Sequence, residues 1–379
     1  MEYKTIEELT TVVTGGTPST SKPEYWKNGN IPWLQSGCCQ NCEVNRSEKY
    51  ISKLGYDNSS AQMMPKNSVM VALTGATAGK IGYLNFEACG NQSITGIFPC
   101  NEINQRFLFY YLISQRNKIL DDCVGGAQPH ISQGYVKKIK VPIYNIEKQN
   151  RIVKRFDLIS NIIKNDEKEI EKYDDLIKAR FVEMFGDPII NPYGFPVKKI
   201  DEVAALNKGI TYSPDDISKE GIIVLRSGNI KGDAFDLEDI VRISKKISND
   251  KLVNENDILM CNRNGSVKLV GKVAKIPKLE EKMTFGTFMT IVRSDIFEYL
   301  FVFFQTSAFR EQIKFQTAVA INQISLPLLA SVKVPIPTNE LIKEFADFVH
   351  QVDKSKLAVQ QSLEKTQQLF DSLMQEYFG

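Results

Sequence analysis

Two stretches of this chain carry apolar side chains at alternating spacings of four and three residues. Both stretches run for about 40 residues, 145–185 and 338–379. Such spacing, sustained over several heptads, predicts a long amphipathic helix of the coiled-coil type. The apolar positions of the first stretch are Ile152, Phe156, Ile159, Ile163, Ile170, Tyr173, Ile177 and Met184, and those of the second are Phe345, Val349, Val352, Val359, Leu363, Phe370, Leu373 and Tyr377.

Each helical stretch directly follows almost the same five residues, KVPIY at 140–144 and KVPIP at 333–337, which lie 193 positions apart. EMFG at 183–186 lands on EYFG at 376–379 at the same offset. Near the start, IPWLQSG at 31–37 matches IIVLRSG at 222–228 with an offset of 191. Matches in one order at nearly one offset indicate an internal duplication, with small loop insertions between copies.

The segments before the two helical stretches contain short apolar runs separated by Gly and Asn, a pattern typical of strands and turns. The runs are SVMVAL, IGYL, GIIVLRSG, DILMCN, GKVAKI and FMTIV. We therefore predict an α+β chain with a pseudo-twofold internal duplication, in which two mixed α/β domains are separated by two long antiparallel coiled-coil helices. The predicted segments are 1–144, 145–185, 186–337 and 338–379.

Thr338 is a candidate cap for the second helix, and the Gly-Asp-Pro of 186–188 ends the first helix. A lone amphipathic helix usually packs on its own domain, but two of matching period favour pairing with each other. Polar residues interrupt both apolar seams near their middles. We expect Lys356 to lie opposite Asp166 or Glu167 and to set the register.

Composition adds limits rather than an identity. The net charge is +2, and the two large segments are mildly basic while the two helical ones are mildly acidic. This balance suits contact between the large segments and a polyanion without requiring it. The first thirty residues lack a signal-peptide pattern, and no apolar run is long enough to span a bilayer, so we expect a cytoplasmic protein. Cys38, Cys39 and Cys42 lack a partner ligand pair and are interpreted as free thiols.

Several catalytic signatures are absent from the sequence. No phosphate-binding G-x-x-x-x-G-K-[ST] loop occurs, and GATAGKIG at 75–82 is interpreted as a tight turn. With two histidines, His130 and His350, no nucleophilic triad can be assembled convincingly. NPYGF at 191–195 faintly resembles an aminomethyltransferase motif, but no Gly-rich cofactor loop precedes it, and we interpret it as an interdomain turn. Two modules on a rigid spacer suit a two-part ligand such as duplex DNA.

Four stretches resemble the target recognition domains of type I restriction-modification specificity subunits: GGTPSTSKPEYWKNGNIPWLQSG (15–37), LTGATAGKIGYLN (73–85), NQSI (91–94) and GGAQPHISQGYVKKIKVPI (125–143). ARFVEMFGDPIINPYGFPVKKIDEVA (179–204) is similar to that family's linker between helix and domain. The order of domain, helix, domain, helix covers essentially the whole chain.

The resemblance implies a non-catalytic subunit with no cofactor of its own. Two modification (methyltransferase) subunits that use S-adenosylmethionine would assemble on it, and two restriction subunits using ATP and Mg would join them in some systems. Its ligand would be double-stranded DNA with two short half-sites around a gap. The family implies helices that act as a ruler of about 60 Å each. That length caps the half-site spacing near about 18 base pairs, and we favour about 10.

Base readout needs paired donors and acceptors, which Arg, Lys, Asn and Gln supply. We predict DNA contacts in the first domain from Thr17, Ser19, Gln35, Ser36, Thr74, Thr77, Lys80, Gln128 and His130. The matching positions in the second domain are Tyr212, Ser213, Arg226, Asn229, Asn262, Arg263, Asn264, Ser266, Lys268, Asn322 and Gln323. Arg226 and Arg263 are the strongest single candidates.

Some residues have a plainer interpretation. Trp26 and Trp33 are expected in the core, since large aromatic side chains dominate packing. NQSI at 91–94 is equally well a satisfied turn or a reading loop. The two domains differ strongly, as in TGGTPS against NKGITYSP, so the half-sites should differ and the full site should not be a palindrome. The second helix runs to Gly379, and we interpret the chain as a full-length, two-domain subunit.

Two rival functions remain open at this stage. Heptads are equally compatible with a coiled-coil scaffold that carries two protein-binding modules. A methyltransferase with an embedded recognition domain is disfavoured by the missing cofactor loop.

Overall fold

In the computed structural model of the protein, residues 2–122, 130–314 and 323–379 are described. The chain divides into a first unit, Met1–Glu167 with Gln361–Gly379, and a second unit, Lys168–Gln360. Gln128 and Asn322, both predicted to contact DNA, lie outside the described residues. None of the helices in the described part is long and apolar enough to cross a membrane.

The strands of the first unit form three sheets, ordered β2-β10-β7-β8-β4, β5-β3-β9-β6 and β1-β11. These strands are β1 Glu2–Thr5, β2 Val12–Thr14, β3 Ile31–Leu34, β4 Cys42–Val44, β5 Lys49–Ile51, β6 Met63–Met64, β7 Val69–Ala72, β8 Ile81–Leu84, β9 Ala88–Gly90, β10 Ile94–Ile97 and β11 Lys140–Ile143.

The second unit repeats this plan with sheets ordered β13-β22-β19-β20, β14-β18-β15-β21, β12-β23 and β16-β17. Its strands are β12 Val197–Lys199, β13 Ala205–Lys208, β14 Ile217–Ser218, β15 Ile222–Leu225, β16 Ile230–Lys231, β17 Ala234–Phe235, β18 Arg242–Ile243, β19 Ile258–Cys261, β20 Val273–Lys275, β21 Met283–Phe285, β22 Met289–Arg293 and β23 Lys333–Pro335. All six apolar runs predicted as strands contain one.

Two long helices contribute to both units, and shorter helices cover the sheets. The helices are α1 Ile6–Leu9, α2 Lys53–Asp57, α3 Gln105–Ser114, α4 Arg116–Asp121, α5 Gln133–Lys138, α6 Ile146–Phe185, α7 Phe297–Phe303, α8 Ser307–Lys314, α9 Leu326–Ser331 and α10 Asn339–Phe378. Short 3-10 turns occur at Pro23–Tyr25, Ser36–Cys38, Gly75–Thr77, Ile200–Glu202, Pro214–Asp216, Ser227–Asn229, Asn249–Lys251 and Val267–Leu269.

The duplicated KVPI is a strand followed by a long helix in both units. Strand β11 pairs antiparallel with β1, and β23 pairs antiparallel with β12. Helix α6 ends at Phe185 because Gly186 takes a left-handed φ of 71°. Helix α10 starts beside Thr338, whose Oγ1 accepts the Leu341 N–H at 3.4 Å, as the predicted cap should.

Strand β7 of the first unit and strand β19 of the second are apolar on both faces because both faces are covered. Val69 and Val71 of β7 face the core under α3, whereas Met70 lies in a second core with Leu34. In the second unit Ile258 and Leu259 divide between two cores in the same way. The sheet that contains each of these strands is therefore packed between a helical layer and a second sheet.

The predicted apolar positions of α6 and α10 are all buried or half-buried within their units. In the first unit the Phe156 ring lies 5.3 Å from Phe370. In the second unit Phe181 lies 5.7 Å from Phe345. These ring contacts explain why the seam is apolar at those positions.

The predicted partner of Lys356 is wrong. Its Nζ donates to Asp174 Oδ1 at 2.5 Å, rather than to Asp166 or Glu167. Asp174 lies eight residues after Asp166, about two helical turns further along α6. The polar interruptions of the two apolar seams were therefore not sufficient to predict which carboxylate Lys356 contacts.

Polar contacts at equivalent positions fasten each sheet domain to a long helix. In the first unit Arg106 of α3 binds Asp157 of α6 through Nε at 2.9 Å, and its Nη1 binds Glu43 at 2.7 Å. In the second unit the position equivalent to Arg106 is Glu298, which contacts His350 Nε2 at 2.9 Å. The carboxylate therefore lies on the long helix in the first unit and on the shorter helix α7 in the second.

Candidate nucleic-acid interface

The first unit contains a parallel strand pair whose carboxyl ends meet at one edge. Strands β3 and β9 pair through Trp33 with Cys89 and Leu34 with Gly90. The Asn91 N–H then donates to Leu34 O at 2.9 Å, so the loops after the two strands start side by side. Gln35 and Ser36, both predicted to contact DNA, follow β3 at this edge. Polar loops at the carboxyl ends of strands are a common place for ligand contacts.

The second unit builds the same edge from β15 and β21. These strands pair in parallel, and the Gly286 N–H donates to Leu225 O at 2.9 Å. Arg226 therefore occupies the place that Gln35 occupies in the first unit. Its neighbour across the edge is the loop of residues 286–288.

A close backbone approach brings a third loop to each edge. A Cβ on Gly15 would lie 2.0 Å from Gly90 O, and a Cβ on Gly209 would lie 2.0 Å from Gly286 O. Only glycine fits there, because real Cβ contacts are never so short. The approach places Thr17 Oγ1 in a hydrogen bond with Gln92 Oε1, and Thr211 Oγ1 3.0 Å from Thr287 Oγ1.

The loop after the central strand completes the arrangement. Leu73 N–H donates to Ser93 O at 2.8 Å, and Asn262 N–H donates to Phe288 O at 2.8 Å. Beyond these bonds, the backbone of Thr74 forms an isolated antiparallel β-bridge with His130, and the backbone of Arg263 forms one with Gln323. We call these loops the loop edge: residues 15–19, 35–36, 74–77, 91–93 and 130 in the first unit, and 209–213, 226–229, 262–264, 286–288 and 323 in the second.

In the first unit the described candidates are accessible to different degrees. Ser19, Gln35 and His130 are exposed, and Thr17, Ser36, Thr74, Thr77 and Lys80 are half-buried. Lys80 Nζ donates to Gln40 Oε1, away from the bonds that join the other loops. The turn at Gly75–Thr77 carries Gly75 and Gly79 at positive φ, as expected for the tight turn predicted there.

In the second unit Ser213, Arg263, Ser266, Lys268 and Gln323 are exposed, and Tyr212, Arg226 and Asn264 are half-buried. Ser213 is held locally by Asp216 Oδ2 at 3.1 Å. Asn264 Nδ2 donates to Ser227 Oγ at 3.2 Å, which ties two loops of the edge together. Ser266 and Lys268 lie in the adjoining turn.

Two of the predicted contacts are contradicted by burial. Asn229 is fully buried, and its amide binds three backbone groups: it accepts the Arg226 N–H at 2.8 Å and donates to Asp236 O and Asp239 O at 2.9 and 3.0 Å. Asn262 is 7% exposed, and its Nδ2 donates to Thr290 Oγ1. The Asn229 amide is satisfied within its own loop, as expected of a buried amide. The Asn262 amide is only partly satisfied, because its Oδ1 is buried without a hydrogen-bond partner among the described residues.

Charge at the edge is partly compensated. Arg226 Nη2 donates to Asp239 Oδ2 at 2.8 Å, which holds this guanidinium in the plane of its loop. Arg263 instead has its Cζ 5.0 Å from the centroid of the Phe288 ring. Among the described residues, Arg263 makes no ion pair with a carboxylate, so its charge is available to a ligand.

Cys38 and Cys39 adjoin the first loop edge. A hydrogen bond with the Cys39 thiol holds the pKa of Cys38 below its usual value. The same bond, together with complete burial, raises the pKa of Cys39. The described residues contain no group of three His, Cys, Asp or Glu placed to hold a metal ion. Trp33 is buried and Trp26 half-buried, with ring centroids 5.0 Å apart.

Sequence reasoning missed Phe288, which is 53% exposed although it begins an apolar run interpreted as strand. The Phe288 carbonyl accepts the Asn262 N–H as the Ser93 carbonyl accepts the Leu73 N–H, so Phe288 stands at the place of Ser93. Ser93 lies in NQSI, which the sequence interprets equally well as a satisfied turn or a reading loop. Following the repeat from Ser93 would have carried that interpretation to Phe288.

A family model described as type I restriction modification DNA specificity domain matches residues 1–172 and 192–368. Two similar chains are specificity subunits of type I restriction enzymes. The EcoR124I/EcoR124II subunit of Escherichia coli is 29% identical over 193 residues, which cover 47% of this chain and 48% of that one. The MjaIX subunit of Methanocaldococcus jannaschii is 24% identical over 291 residues, covering 70% and 67%. The match thus spans about half the length of the E. coli relative.

Two solved structures share the fold. The S subunit of a type I restriction-modification system from M. genitalium aligns with a TM-score of 0.54 at 16% identity, over 100% of this chain and 96% of that one. A chain solved in work on complex assembly and conformational transition of the type I R-M system aligns with a TM-score of 0.51 at 15% identity, over 100% and 97%. Since the family model matches most of the sequence, the chain belongs to the type I restriction modification DNA specificity domain family.

Proposed function

We propose that this protein is the DNA sequence-specificity subunit of a type I restriction-modification complex. Each unit reads one half-site of a bipartite, nonpalindromic site in double-stranded DNA. The observation that carries the proposal is the loop edge, built twice on the same strand scaffold with different side chains. One fold presenting Gln35, Thr74 and Gln92 in one copy and Arg226, Arg263 and Phe288 in the other suits two different base sequences.

The subunit itself performs no chemistry in this proposal. Two modification subunits would bring S-adenosylmethionine, and restriction subunits, where present, would bring ATP and Mg. Helices α6 and α10 would pair as an antiparallel coiled coil related by a pseudo-twofold axis, and would fix the gap between half-sites. Because its ligand would be chromosomal DNA, the cytoplasm is the expected location.

The scaffold alternative, with two protein-binding modules, receives less support. The exposed residues of the loop edges are mostly polar, with serine, glutamine, histidine and arginine side chains. The buried core of a protein-binding patch is instead depleted in charge and enriched in aromatic residues. Steep loss of DNA affinity of the assembled complex with rising salt separates the two functions.

The first experiment is methylome sequencing of the source strain with and without this gene. The proposal expects a bipartite, nonpalindromic methylated adenine motif to disappear with the gene and to return on complementation. An unchanged methylome, in cells that express the modification subunits, would count against it. The Asn229→Ala variant is unsuitable for this test, because it should perturb folding rather than readout alone.

A further inference from the structure

We propose that Phe288 is a specificity-determining positioning residue of the second unit: its ring holds the Arg263 guanidinium for the edge of a guanine in the half-site. The inference rests on the proposed function and deepens it, since it assigns one base and the two side chains that select it.

The backbone around the pair is fixed on both sides. Phe288 O accepts the Asn262 N–H at 2.8 Å and the Arg263 N–H at 3.3 Å. Arg263 also bridges Gln323, and its carbonyl accepts the Cys261 thiol at 3.6 Å. Arg263 therefore leaves a well-anchored point of the chain, although its side chain is exposed.

The ring then limits where the guanidinium can go. The Arg263 Cζ lies 5.0 Å from the Phe288 centroid, within the range of a cation–π contact. A flat guanidinium resting on a ring keeps its N–H donors directed outward along its rim. That fork matches the O6 and N7 acceptors of guanine in the major groove, where a paired contact distinguishes guanine from other bases.

Among the six described arginines of this unit, only Arg263 is exposed. Four of the others pair with a carboxylate: Arg180 with Glu344, Arg226 with Asp239, Arg242 with Glu281 and Arg293 with Asp257. The fifth, Arg310, is half-buried and donates to the Val270 carbonyl. Phe288 orients Arg263 without neutralising it, so the positive charge stays available for the base.

The exposure of Phe288 itself needs an explanation. It is 53% exposed in a loop whose neighbours Phe285 and Met289 are buried. Burying a phenylalanine side chain normally stabilises a domain, so a phenylalanine left exposed at a ligand-facing edge points to a role outside the core. In the first unit the residue at the place of Phe288 is Ser93, whose carbonyl accepts the Leu73 N–H, and Thr74 stands at the place of Arg263. The aromatic support therefore occurs where there is an arginine to support.

The test uses the complete complex with its modification subunits and the motif found by methylome sequencing. Binding is measured on duplexes in which each base pair of both half-sites is replaced in turn. Arg263→Ala should reduce discrimination at one G·C pair of one half-site by about 5- to 150-fold. Phe288→Ala should reduce discrimination at the same pair by about 3- to 30-fold.

Two conservative variants distinguish the effect of the aromatic ring of Phe288 from the effect of its volume. Phe288→Tyr keeps an aromatic face and should retain discrimination, whereas Phe288→Leu keeps apolar volume and should lose it. Adding Phe288→Ala to Arg263→Ala should produce no further loss at that pair, because the ring acts through the guanidinium. Ile217→Ala, an exposed apolar residue of the same unit, is the matched control and should leave every preference unchanged.

Three results would overturn the proposal. Phe288→Ala lowers affinity equally for all sequences, or it relaxes a different pair from Arg263→Ala, as a ring wedged between bases would, or it has no effect. Failure of the proposed function would look different, since the wild-type complex would then show no preference among the duplexes at all.

Discussion

In the first unit the residue after the parallel strand β3 is Gln35, and in the second unit the residue after β15 is Arg226. Similar exchanges occur at Thr74 against Arg263 and at Ser93 against Phe288, while the order of the equivalent strands and the close glycine contacts are shared. The difference shows that backbone placement and side-chain chemistry vary independently here. A duplicated scaffold can therefore address two unlike ligands through a few positions at one edge.

The largest effect on stability is expected at Asn229, which supports the loop edge from inside the fold. Asn229→Ala removes three hydrogen bonds and leaves buried backbone groups unsatisfied, so we expect the second unit to lose about 3 kcal/mol of stability. Hydrogen exchange over residues 222–243 would report the loss. The equivalent position in the first unit is Cys38, and Cys38→Ala should cost clearly less. Equal losses would mean that the two loops are built alike after all.

The second prediction sharpens the comparison at the ligand. Arg263→Ala should weaken recognition of its half-site by roughly 1–3 kcal/mol, as expected when a paired contact to guanine is lost. Thr74→Ala, at the equivalent place, should act on the other half-site alone and less strongly. Methylation profiles of the two variants would check both. A variant that changes recognition of both half-sites would contradict the proposal that each unit recognises one half-site.

The smallest expected effect on stability concerns the polar contacts of Arg106, which link the sheet domain of the first unit to helix α6. Burial alone raises the pKa of Glu43, but the Arg106 guanidinium outweighs it and holds that pKa below its usual value. A carboxyl with a lowered folded-state pKa stabilises the fold above its unfolded pKa, and this contribution is lost as pH falls through the folded value.

Glu43→Gln should therefore destabilise the first unit by about 1 kcal/mol at neutral pH, with the deficit shrinking in acid. Thermal unfolding across pH 7 to pH 3 would measure it. A deficit that stays constant with pH would show that packing, rather than charge, is what the substitution changes. In the second unit the residue at the position of Arg106 is Glu298, so no guanidinium is present there to make the equivalent contribution.

The sequence was most informative where pattern is local. Apolar runs located the strands, alternating spacings of three and four located both long helices, and the repeated KVPI located the junctions. Pairings over long distances were not predictable in this way. Parallel pairing of β3 with β9, and of β15 with β21, depends on how the whole unit closes. The partner of Lys356 was wrong for the same reason.

Side-chain burial limited the prediction of the candidate site. Asn229 and Asn262 look like exposed loop amides in SGN and CNRN, and only the folded loop reveals that they face inward. The opposite error occurred at Phe288, because an aromatic residue at the start of an apolar run is expected to be buried in the core. The duplication offers a correction, because the position comparable to Phe288 in the first copy is the polar Ser93.

The close backbone contacts at Gly15 and Gly209 limit which positions of this protein can be engineered. Because a Cβ on Gly15 or on Gly209 would lie 2.0 Å from the facing carbonyl oxygen, a library that randomises these loops should leave these two glycines untouched. The positions beside them, such as Gln92 and Phe288, can be varied freely without that steric penalty. Loops transferred between homologues should therefore be joined just outside these close backbone contacts, where the recipient backbone follows the same path as the donor backbone.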